Sequence, residues 1–90
     1  MPLRDVSEFH AWIARDQPST QARRVARTFI AELGHRPWTA PSVPIVELSN
    51  QPEYEVRTAT LAVDGELDVQ IWYLHAYATT NVDLIAVIQR

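Results

Sequence analysis

The chain has 90 residues, 47% of them hydrophobic and 21% charged, enough for one modest core and too rich in apolar side chains for wholesale disorder. It contains no cysteine, which excludes a disulfide framework, a thiol nucleophile and a thiolate metal site. Eight basic residues, all arginine, stand against eleven acids for a net charge of −3, a poor balance for a general nucleic-acid binder, whose affinity comes largely from neutralising phosphate.

The N-terminal stretch Met1-Pro2-Leu3-Arg4-Asp5 lacks the apolar core of a signal peptide, and no apolar run approaches the ~18 residues of a membrane span. The expectation is a cytoplasmic protein. Asp5 with Glu8 three residues on resembles a capping box, with Ser7 as a competing start. Val6, Phe9, Trp12 and Ile13 then share a stripe, which predicts a helix over residues 5–16. Pro18 suits the first turn of a second helix, where a missing N–H costs nothing. Ala22, Val25, Ala26, Phe29, Ile30 and Leu33 follow at amphipathic spacing, so the second helix spans 18–33 and Gly34 stands at its C-cap. The short connection makes the two helices antiparallel neighbours.

Residues 35–44 carry three prolines and read as an extended linker. Beyond it the composition turns to strand formers. Strands are predicted over 43–48, where Pro44 points to a sheet edge, and over 54–63. Asp64-Gly65 is a hairpin signal. Further strands are predicted over 67–79 and 82–88, with a turn at Thr80-Asn81 between them. The whole is a single α+β domain over 1–90, a helix pair packed on a 3–4-stranded antiparallel sheet.

Charge divides unevenly along the chain. Through Arg36, six arginines face four acids, a net of +2; from Pro37 onward, Arg57 and Arg90 face seven acids, a net of −5. Arg23, Arg24 and Arg27 lie opposite the apolar stripe of the second helix, either as a solvated face or as a docking stripe for phosphate or an acidic partner. Tyr73, His75 and Tyr77 alternate along one side of the long strand, with Trp72 and Leu74 on the other. Either they are ordinary packing, or His75 lies between two phenols in a concave polar patch, fit for proton transfer near neutral pH. Arg57 is placed either to pair with Glu55, Asp68 or Asp83 or to bind an anion. With only Gly34 and Gly65 there is no phosphate loop, and His10, His35 and His75 share no ligand spacing, so neither cofactor nor metal is expected.

From Ser19 to Arg90 the chain resembles the RelE/ParE superfamily of toxins from type II toxin–antitoxin systems. The carrying residues are the helix ending at Leu33-Gly34, the passage from Glu47 to Arg57 with Pro52 and Tyr54, the strand Val69-Gln70-Ile71-Trp72-Tyr73, and the closing run Val82–Arg90. The resemblance implies a toxin held by a cognate antitoxin across its sheet and helix pair, acting on mRNA at the ribosome or on a protein such as DNA gyrase. Arg57, Tyr73 and Arg90 are the positions it carries over. A nuclease of this type would cleave without metal, Arg57 and Arg90 stabilising phosphate and His75 or Tyr73 moving protons. That family opens with a strand, for which Met1–Arg4 is short. Glu55 and Gln70 stand where cations are expected, and the chain ends ahead of the family's C-terminal segment. These departures favour a protein target, or a diverged relative that has lost or changed its activity. The alternative, from a different class, is a non-catalytic interaction module or small homodimer that buries Trp38 and Trp72.

Overall fold

A computed structural model describes residues 3–33, 42–45, 54–76 and 82–89. The elements run β1 (Leu3–Asp5), α1 (Ser7–Asp16), α2 (Thr20–Leu33), β2 (Ser42–Pro44), β3 (Tyr54–Leu61), β4 (Val69–Ala76) and β5 (Val82–Gln89). The fold is α+β, two helices and a sheet in which β2, β3, β4 and β5 are antiparallel neighbours.

The sheet has five strands in the order β1-β5-β4-β3-β2, one more than expected, because β1 pairs in parallel with the start of β5. Parallel neighbours require a long crossover, and everything between Val6 and Asn81 supplies it. Pro44 lies on an edge strand, as its missing donor requires. Pairing reaches one residue further, the Ile45 amide donating to the Val56 carbonyl at 2.7 Å. The expected linker thus ends earlier than residue 44. Residues 34–41 and 46–48, including Gly34, and the turn at Thr80-Asn81 lie outside the described residues.

The helix starts differ from their predicted positions. Asp5 belongs to β1, and α1 begins at Ser7 behind Val6, with no side-chain cap. Helix α1 ends where Gln17 adopts the left-handed region (φ 46°) and its amide donates to the Ile13 carbonyl at 3.0 Å. Pro18 stands one residue before the cap rather than within the first turn of α2. The cap is Ser19, whose hydroxyl accepts the Ala22 amide at 3.0 Å and donates to Glu66 at 2.6 Å. One side chain thus satisfies an orphan helix donor and ties α2 to the turn between β3 and β4.

That turn is Val63–Glu66, closed by the Glu66 amide on the Val63 carbonyl at 3.1 Å. Gly65 takes φ +73° while Asp64 does not have positive φ, the pattern of a type II rather than a type I′ turn. The ladder therefore stops at Leu61 and resumes at Val69, a wider connection than a two-residue hairpin.

Both helices cover one sheet face. Phe9 and Trp12 of α1 and Ala22, Ala26, Phe29, Ile30 and Leu33 of α2 form a single cluster with Ala59, Val69, Ile71, Tyr73, Val82, Leu84 and Val87. The Arg27 guanidinium lies 6.0 Å from the Phe9 ring centroid, so the start of α1 sits beside the middle of α2, as an antiparallel pair demands. A bulge at Ile85 separates the Tyr73–Leu84 pair from Trp72–Ala86. It lets Leu84 and Val87 both face the helices despite their odd spacing.

Candidate functional site

Residues two apart on a strand share a face, so β3 presents Glu55 and Arg57 together and β4 presents Tyr73 and His75. The register sets Glu55 opposite His75 and Arg57 opposite Tyr73. All four therefore point to the helix-covered side, at the end of the sheet away from the Val63–Glu66 turn. Ser42 reaches the same group from β2, opposite Ala59.

All three guanidinium nitrogens of Arg57 are engaged. Nε donates to Ser42 Oγ at 2.8 Å, Nη2 to the Ser42 carbonyl at 2.9 Å, and Nη1 to Glu55 Oε1 at 2.9 Å. The same Glu55 oxygen lies 3.5 Å from His75 Nδ1. Ser42 Oγ shares a further hydrogen bond of 2.8 Å with the Tyr73 hydroxyl. Five side chains from three strands thus form one continuous polar chain.

It is a buried chain. The Arg57 and Glu55 side chains are 13% and 12% exposed, His75 is 4% exposed and Tyr73 fully buried, its ring 6.3 Å from that of Phe29. Burial pushes the Tyr73 phenol above its ordinary value of 10.0, against the opposing pull of the Ser42 hydrogen bond and the Arg57 charge. The phenol stays protonated near neutrality and serves as a hydrogen-bonding group rather than a base.

Arg57, Tyr73 and His75 are therefore brought together, by way of Glu55 and Ser42, in the interior rather than in an open concave patch. Arg90 and Tyr77 lie outside the described residues. Arg24 and Arg27 are exposed and Arg23 half-buried on α2; no hydrogen bond or ion pair among the described residues joins them to the network. Glu55 was legible as one of three acids available to Arg57. Ser42 was not, because only the β2–β3 register, set across a proline-rich segment, places it there.

Elsewhere, a shallow depression of about 500 Å³ is lined by Asp16, Glu66, Leu67 and Gln89, at the opposite end of the sheet. Among the described residues, no group of three or more His, Asp or Glu side chains converges as a metal site would need, and no helix is long and apolar enough to cross a membrane. Comparison with known proteins gives no matching family model, no matching curated protein and no matching solved structure.

Proposed function

We propose that this chain is a RelE/ParE-like toxin, neutralised by a cognate antitoxin, whose target is a protein such as DNA gyrase rather than the phosphodiester backbone of mRNA. The observation that carries the choice of target is the closure of Arg57 on Glu55 and Ser42. A catalytic arginine must offer donors to a phosphate as charge develops on it. Here three of the five N–H donors are engaged inside a nearly closed network, with an acid beside them that would repel the substrate. The net charge of −3 points the same way. The short strand ahead of the helix pair supports the family reading, since that family opens with one.

Induction of the chain in bacterial cells, with growth, transcript integrity and plasmid supercoiling followed together, tests this. Growth arrest with intact transcripts and altered supercoiling is the expected result. Transcript cleavage that disappears in Arg57→Ala would overturn it in favour of a ribosome-dependent nuclease. Unimpaired growth at full expression would overturn the toxin reading and leave the interaction module.

A further inference from the structure

Among the described residues, strand β5 is paired on its outer side where β1 reaches it, at Val82 and Asp83. Among the described residues no strand lies beside Leu84–Gln89 on that side. After the bulge at Ile85, residues Ala86–Gln89 form a regular run that pairs with β4 on its inner side. Such an edge offers backbone donors and acceptors to an incoming strand. One of these groups, the Val87 carbonyl, is taken by a side chain instead of a strand, accepting Arg15 Nη2 at 3.1 Å.

The depression lined by Asp16, Glu66, Leu67 and Gln89 adjoins this edge. Its walls are fixed, the Gln89 side-chain amide donating to the Leu67 carbonyl at 2.9 Å and to Glu66 Oε1 at 3.4 Å. Glu66 is held by Ser19 and Gln89, both neutral, so its charge is not cancelled there. Asp16 is paired with Arg15 at 3.0 Å, and Leu67, 64% exposed, supplies an apolar surface beside the acids.

We propose that the outer edge of β5 from Ala86 to Gln89 is a docking ledge for an extended, arginine- or lysine-bearing segment of a partner protein, which adds as a strand and sets its cation beside Asp16 and Glu66. The incoming backbone replaces Arg15 on the Val87 carbonyl, and Arg15 remains on Asp16. A second copy of this chain fits less well, since pairing two β5 edges would bring like acidic grooves towards one another. The inference does not depend on the toxin reading, because any partner with such a segment satisfies it.

The test is an amide NMR titration of the full chain with an acetylated peptide of strand length, roughly six residues, alternating threonine and valine around one arginine. Two control peptides carry citrulline in place of arginine or N-methyl groups along the backbone. Shifts confined to residues 86–89 and 64–67 are expected. N-methylation should abolish them, and Glu66→Gln, which keeps the Ser19 acceptor, should weaken the arginine peptide about three-fold while leaving the citrulline peptide unchanged. Binding that survives N-methylation, shifts at another surface, or no binding at all would overturn the proposal. Edge shifts that grow with protein concentration alone would assign the ledge to a second copy and overturn it equally.

Discussion

The Arg57 guanidinium and the Glu55 carboxylate, two residues apart on β3, meet at 2.9 Å beneath the helix layer. Neither has much water to fall back on. Removing one partner of such a pair leaves a charge with poor solvation, which costs far more than the net value of the pair. Arg57→Ala and Glu55→Ala are each expected to lose about 3 kcal/mol in chemical denaturation. The double replacement Glu55→Leu with Arg57→Met should lose less than either alanine variant. Strict additivity of the two alanine variants would show that the residues act independently.

Phe29 and Arg24 test the helix-face assignment. Phe29 is 6% exposed and packs on Tyr73, so Phe29→Ala should cost about 3–5 kcal/mol. Arg24 is exposed on the far side of α2, and Arg24→Ala should move stability by no more than about 0.5 kcal/mol. Equal losses in urea melts of the two variants would contradict the packing.

Gly65 isolates backbone conformation from packing. A Cβ built there meets nothing within 4 Å, yet φ is +73°. The cost of a side chain is therefore conformational, about 1–2 kcal/mol for Gly65→Ala. Gly65→Asn should cost less, because asparagine tolerates the left-handed region. A stability ranking of Gly, Asn, Ala in descending order is expected from thermal unfolding.

Tyr73 gives the fold an alkaline limit. Its phenol is raised in the folded chain, chiefly by burial, so the folded state holds the proton more tightly than the unfolded state. The contribution is complete below the unfolded value near 10 and is lost as pH climbs through the folded value. Unfolding free energy measured upward from pH 9 should fall, and Tyr73→Phe should flatten that fall while losing the Ser42 bond at every pH. An unchanged alkaline slope in Tyr73→Phe would place the sensitivity elsewhere.

Elements set by local periodicity were readable before any coordinates. Of the α2 stripe, Ala22, Ala26, Phe29, Ile30 and Leu33 are buried and Val25 is half-buried against the core; Asp64-Gly65 did mark a turn. What escaped depends on partners distant in sequence. Three residues of β1 carry no period of their own, and their strand state follows from β5, some 80 residues away. That placement also removed Asp5 from its expected role as a helix cap. The alternation along β4 put Tyr73 and His75 on one face, but polar side chains in a strand do not announce burial. Only the helices above them turn a possible surface patch into an interior network.

The strand order has a consequence for how the chain is made. β5 is translated after every other described element, yet it lies inside the sheet, between β1 and β4. Helix α1 packs chiefly on it, and Arg15 bonds a carbonyl 72 residues downstream. During synthesis, β1 and the apolar face of α1 must therefore wait without their partner until β5 leaves the ribosome. Phe9 and Trp12 are thus made well before the strand that helps enclose them, and the nascent chain spends that interval with both available to chaperones or to other apolar surfaces.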